Sequence, residues 1–170
     1  GVLRTYFTRM VAIVLAHGGT VDKYIGDGLM ALFGAPQDIP DPCGAALRVA
    51  LEMQAALPDL NAVLAGPLGG EMRIGVGINY GEVVFGLAGA PSKLEFTAIG
   101  DTVNIASRLE SLCRDKGCDI VVNESVYSRL PEDLRLQLHD LGMVQVKGRQ
   151  AGLHVYGIEA GWRLAHATRE

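Results

Sequence analysis

The chain has 170 residues, 49% of them hydrophobic and 20% charged, an ordinary composition for one globular domain that buries its own core. Its 15 Lys and Arg stand against 19 Asp and Glu, a formal net charge of -4. Bulk charge therefore excludes a nucleic-acid partner, and any phosphate ligand has to be held by a few placed cations.

"GVLRTYFTRMVAIVLAHGG" spaces Leu3, Tyr6, Phe7, Met10, Val11, Val14 and Leu15 as an amphipathic helix, stopped by Gly18 and Gly19. "TVDKYIG" and "GLMALFGA" read as two short strands around a tight turn, with Val21, Lys23 and Ile25 on one face and Asp22 and Tyr24 on the other. Asp41 as cap and Pro42 in the first turn open a second helix. Its buried stripe is Ala46, Val49, Ala50, Met53 and Leu57, and "LAGPLGGE", Leu64 to Glu71, reads as a flexible loop. "EMRIGVGINYGEVVFGLAGA" supplies two strands joined near Asn79-Tyr80-Gly81, and "KLEFTAIG" a third. "DTVNIASRLESLCRDKG" is a helix with Asp101 at its cap and Gly117 past its end. "CDIVVN" is a strand and "ESVYSRLP" a short helix. Leu136 to Ala160 forms a long hairpin turning between Gly148 and Gly152, and the residues after Gly161 form a surface helix or frayed tail.

Few βαβ crossovers can be drawn through this order. The pattern points to an α+β sandwich of ferredoxin-like kind, with helices packed on a mainly antiparallel sheet. Cys43, Cys113 and Cys118 are odd in number and irregularly spaced, which suits reduced thiols in a cytosolic setting better than a disulfide framework or a zinc site. No run approaches the roughly 20 apolar residues of a membrane span, and the N-terminus does not read as a signal peptide.

Four stretches carry chemistry, each with an ordinary explanation beside it. In "VDKYIGDGLMALFGAP", Asp27 sits between two glycines at a hairpin tip, where a carboxylate suits an oxygen-loving cation such as Mg²⁺. Gly-Asp-Gly is also common turn chemistry. In "EFTAIGDTVNIASRLE", Asp101, Asn104 and Arg108 share one helical stripe that offers an amide and a guanidinium to an anion, or simply a wet face. Lys147 and Arg149 in "VQVKGRQAG" and Arg73 in "MRIGVGINYG" are cations at a turn and a strand start, positions often occupied for solubility or structure alone.

Taken in order, those four stretches resemble the class III nucleotide cyclase catalytic domain, over the chain to about residue 159. The block "GDTVNIASRLE" is the most specific part of the likeness. The resemblance implies conversion of a nucleoside triphosphate to a 3′,5′-cyclic monophosphate and pyrophosphate, at sites formed between two chains of a head-to-tail homodimer. By motif position, Asp27 matches one of two metal-binding aspartates, for Mg²⁺ or Mn²⁺ at two ions per site. Lys23 and Thr97 fall on the purine-reading positions, Asn104 and Arg108 on the ribose-orienting and transition-state pair, and Lys147 and Arg73 on triphosphate-binding cations. Lys23 as a donor and Thr97 as an acceptor favour ATP over GTP. The expectation is thus an adenylate cyclase, with an inactive cyclase-like relay domain as the alternative.

The resemblance also implies domain bounds of 1–160, with a tail at 161–170. The family's first strand and helix, which carry the other metal aspartate, have no counterpart in the chain, so the chain by itself is expected to lack activity. The setting implied is cytoplasmic, either free or as the cytosolic part of a membrane-anchored protein. The regulating partner is not legible.

Overall fold

The computed structural model describes residues 1–146, 148 and 150–161. These form two compact units, Gly1–Ile74 (joined by Gly161) and Gly75–Ala160.

The first unit is built from α1 (Val2–Ala16), the hairpin β1 (Thr20–Ile25) and β2 (Gly28–Leu32), and α2 (Pro42–Leu68). Tyr6, Met10, Ile13 and Val14 of α1 pack against Val49, Met53, Ala56, Leu57, Leu60 and Leu64 of α2. Val21, Leu29 and Ala31 of the hairpin close that core. Of the apolar positions expected to be buried, Leu3 and Leu15 are instead exposed, because they fall on the flanks of the stripe centred on Met10 and Val14. Asp41 caps α2 as expected, its Oδ1 accepting from the Gly44 amide at 3.0 Å.

The α2 helix does not end where its composition suggests. It runs through Pro58 and Pro67 to Leu68 and takes in the expected loop from Leu64 to Leu68. Proline removes one backbone donor and crowds the preceding turn. Burial of Leu57, Leu60 and Leu64 along one stripe outweighs that local cost. Side chains of α2 also pin the chain that follows. Asn61 exchanges two hydrogen bonds with the Met72 backbone, at 2.7 and 3.1 Å, and Gln54 donates to the Ile74 carbonyl at 2.9 Å.

The second unit contains β3 (Val76–Ile78), β4 (Val84–Ala90), β5 (Lys93–Ile99), α3 (Asp101–Lys116), β6 (Cys118–Asn123), α4 (Glu124–Tyr127), α5 (Glu132–Arg135), β7 (His139–Val144) and β8 (Leu153–Glu159). Four strands form one sheet in the order β3-β6-β8-β7. β3 and β6 pair in parallel, whereas the other two pairings are antiparallel. β4 and β5 form a separate antiparallel hairpin. The two strands expected around Asn79-Tyr80-Gly81 therefore belong to different sheets. The class is α+β with mainly antiparallel pairing, as expected. Its strands, among the described residues, make three sheets rather than one.

The α3 helix lies on β3 and β6, burying Ile105, Leu109 and Cys113. It can lie close because Gly77 of β3 and Gly75 just before it leave that face bare. A Cβ on Gly77 would run into the α3 backbone at Ala106, Leu109 and Glu110, and one on Gly75 would come within 2.9 Å of Cys113 Cβ. Gly100, not Asp101, is the residue preceding the helix. Asp101 is its first helical residue, placing a carboxylate in the turn where the helix dipole favours one. Gly117 closes the other end in the left-handed conformation.

Candidate functional site

Each unit contributes part of the expected set. In the first unit, Ile25 pairs with Gly28, so the hairpin loop is the two residues Gly26 and Asp27. Gly26 has φ +60 and Asp27 does not, the pattern of a type II′ turn that matches strand twist and needs glycine first. Asp27 is exposed at the tip. Its carboxylate adds to burial in pushing the Tyr6 phenol up from its ordinary pKa.

Lys23 does not share a face with Val21. The register slips between them, Val21 opposing Ala31 and Lys23 opposing Met30. Asp22 is thus the extra residue of a β-bulge, which reverses the alternation after it. Val21 and Ala31 point into the core, and the ring of Tyr24, opposite Leu29, meets that of Phe7 in a tilted contact, centroids 4.5 Å apart. Lys23 and Met30 take the other face, away from that core. Strict period-2 alternation, with Val21, Lys23 and Ile25 on one face, therefore fails in this strand.

Arg73 is exposed between Met72 and Ile74, both packed on the first unit's core and both anchored by α2 side chains. The guanidinium therefore leaves a backbone fixed on either side.

In the second unit, an open cavity of about 420 Å³ is lined by Asp101, Asn104, Ser107, Arg108 and Ser111 of α3. Val146 and Gly148, beyond the end of β7, face them. Asn104 and Arg108 are one turn apart on the helix and exposed to this space. Among the described residues Arg108 makes no ion pair, so its fork of donors is not spent on a neighbouring carboxylate. Thr97, on β5 opposite Gly86, is buried at 2% exposure and is not part of the cavity wall. Lys147 and Arg149 lie outside the described residues.

The first turn of α3 is seated by residues that composition and spacing did not single out. Asn79, just beyond β3, donates from Nδ2 to the Thr102 carbonyl at 3.0 Å. Its Oδ1 accepts from Asn123 Nδ2 and Ser125 Oγ, both at 3.1 Å. Thr102 Oγ1 donates to the Glu82 carbonyl at 2.6 Å. The glycines of "RIGVG" carry the one sequence signal of this seat, a strand face left bare for a helix.

No group of three or more His, Cys, Asp or Glu side chains able to hold a metal occurs among the described residues. Asp27 offers one exposed carboxylate. That fits a Mg²⁺ or Mn²⁺ ion shared with phosphate oxygens, since Mg²⁺ commonly takes one or two carboxylates and completes its shell with water and substrate. It does not amount to a closed protein cage.

Comparison with known proteins identifies the family. The adenylate and guanylate cyclase catalytic domain family matches residues 1–160. An adenylate cyclase of Anabaena cylindrica is 40% identical over 164 residues, covering 93% of this chain and 32% of that protein. Adenylate cyclase 1 of Rhizobium meliloti is 32% identical, covering 98% of this chain and 25% of its own length. The chain thus spans a third or less of these relatives. Among solved structures, the adenylyl cyclase CyaB from P. aeruginosa superposes with TM-score 0.78 at 30% identity, covering 92% of this chain and 80% of that one. The guanylyl cyclase Cya2 does so at 0.76 and 32%, covering 92% and 78%. No helix among the described residues is long and apolar enough to cross a membrane.

Proposed function

The chain belongs to the adenylate and guanylate cyclase catalytic domain family, and from that premise we propose that it converts ATP to 3′,5′-cyclic AMP and pyrophosphate as a head-to-tail homodimer. The observation that carries the reading is the cavity in which Asn104 and Arg108 present an amide and an uncommitted guanidinium from adjacent turns of one rigid helix.

In the reaction the ribose 3′-oxygen attacks the α-phosphorus, its proton leaves, and the bond to the bridging oxygen of pyrophosphate breaks. Negative charge grows on the non-bridging oxygens and on the leaving group. Arg108 donates to those oxygens, where a preorganised donor acts most strongly in the transition state. Asn104 holds the ribose in line by hydrogen bonding. Arg73 and Lys147 neutralise the departing pyrophosphate. Asp27 would hold the divalent metal against the triphosphate. A bound metal supplies a lower pKa for the attacking hydroxyl and charge neutralisation on the leaving group.

Base selection falls to Lys23 and Thr97. The Lys23 ammonium donates only, which suits adenine N1 and repels the N1–H of guanine. The bulge at Asp22 supports this role by turning Lys23 away from its own core. Thr97 accepts from the exocyclic amine, and its burial restricts it to a base inserted directly beside β5.

Homodimer formation is supported by the β4–β5 hairpin. Leu87 and Phe96 are directly paired on one of its faces, with Leu94 beside them, and all three are 53–68% exposed. Such a contiguous apolar face is typical of a covered interface.

The test is a cyclic-nucleotide assay with ATP or GTP and Mg²⁺ or Mn²⁺, run with the family's first strand and helix, and the metal aspartate they carry, supplied ahead of residue 1. ATP turnover is expected, and Arg108→Ala should lower it by about 10²–10³-fold without changing the oligomeric state. An unchanged rate in Arg108→Ala would remove the cavity from the reaction.

A further inference from the structure

We infer that Asn79 is a positioning residue for the reaction, one that sets where α3 holds Asn104 and Arg108. This rests on the proposed cyclase reading. Asn79 touches no expected substrate group. It does touch three elements at once: the first turn of α3 through Thr102, the end of β6 through Asn123, and α4 through Ser125.

The chemistry dictates which way its amide faces. The Thr102 carbonyl only accepts, so it needs the NH₂ side. That leaves Oδ1 for the Asn123 amide and the Ser125 hydroxyl, both able to donate. Every polar atom of the side chain is thereby used, and few other residues could replace it. Asp supplies no donor when ionised, Ala supplies nothing, and Gln is one carbon too long for the same three partners.

Its mechanical consequence follows from the neighbours. Asn104 lies two residues after the carbonyl that Asn79 holds, and Arg108 one turn beyond Asn104. The Thr102 hydroxyl is tied separately to Glu82, and β3 is bare beneath the helix at Gly77. The helix can therefore move on β3 only by breaking the Asn79 and Thr102 contacts at its N-terminal end. A displacement of about 1 Å at a transition-state donor can cost on the order of 10²-fold in rate. A network in which each member is satisfied is the usual way of preventing such a displacement.

The experiment compares Asn79→Asp and Asn79→Ala with the unaltered protein. At neutral pH the Asp carboxylate confronts the Thr102 carbonyl and pushes α3 off its seat. Expected is a fall in kcat of roughly 10–100-fold with KM for ATP within about threefold, because the interaction lost is one realised in the transition state. Lowering the pH should recover part of the loss in Asn79→Asp relative to the unaltered protein, since a protonated carboxyl donates again. Asn79→Ala should show no such recovery. Amide hydrogen exchange supplies a readout that needs no turnover. Residues 103–108 should exchange at least about tenfold faster in Asn79→Asp while β6 and β8 stay protected. Unchanged kcat and unchanged α3 exchange would overturn the inference. So would a fall in kcat without pH recovery, accompanied by lost protection throughout β6 and β8, because that is general destabilisation. If the unaltered protein makes no cyclic nucleotide even with the family's first strand and helix in place, the cyclase reading fails by itself, and the exchange data still decide whether Asn79 seats α3.

Discussion

Lys23 and Asp27 are four residues apart on one hairpin and differ in setting. Asp27 ends in solvent on a two-residue turn, while Lys23 is turned outward by a single inserted residue, Asp22. If Lys23 reads adenine, replacing its donor with an acceptor should exchange the preference. Lys23→Glu is expected to lower kcat/KM for ATP by about tenfold or more and to raise the GTP to ATP ratio, measured by competing the two substrates. A second residue-level expectation concerns the cluster joining β7, β8 and α4. The Tyr156 hydroxyl donates to Glu124 at 2.5 Å, and His154 Nε2 lies 2.7 Å from Asp140. The hydrogen bond from His154, then that from the Gly142 amide, holds Asp140 below the usual carboxylate range. Its contribution is complete above about pH 4 and fades only as pH falls through its lower folded value. Tyr156 is shifted the other way, upward, first by Glu124 and then by burial. Its neutral form therefore supports the fold fully below about pH 10, and that support is lost as pH rises through the higher folded value. Denaturant midpoints measured against pH should decline at both extremes, and Tyr156→Phe should flatten the alkaline limb.

At the level of elements, helix and hairpin limits were readable wherever the cause is local. Asp41 caps α2, Gly117 ends α3, and Gly26-Asp27 makes the turn, each by chemistry confined to a few neighbouring residues. Misreadings arose where a distant partner intervened. The stretch from Leu64 reads as a loop, yet α2 continues to Leu68 because Leu60 and Leu64 are buried against α1 and Asn61 is clamped to Met72. Lys23 ought to share a face with Val21, yet the opposing register of β2 reverses it. The seat of α3 depends on Asn79 and Gly77, which lie more than twenty residues before the helix positions they support. Gly77→Ala is expected to destabilise the second unit by about 1–3 kcal/mol through overpacking against the α3 backbone. Urea unfolding would register this as a lower midpoint at unchanged slope. An exposed glycine such as Gly66, with nothing within 4 Å, is the natural control.

At the level of the molecule, the proposed dimer makes a prediction that no single-chain site can imitate. In a head-to-tail pair, Asp27 of one copy and Arg108 of the other serve the same site. Asp27→Ala and Arg108→Ala proteins should each be inactive, and mixed in equal amounts they should recover about a quarter of normal activity, since half the dimers are mixed and each has one intact site. No recovery after demonstrated subunit exchange would place both residues in a site owned by one chain. The motif blocks around Asp27, Asn104 and Arg108 were enough to identify the family, because a reaction on a triphosphate demands particular functional groups in a particular order along the chain. The strand partners, the outward turn of Lys23, the burial of Thr97 and the seat of α3 followed from pairing register and from side chains brought together across long separations. Functional groups are written one letter at a time, whereas their aim is set by which distant backbone each strand and helix comes to rest upon.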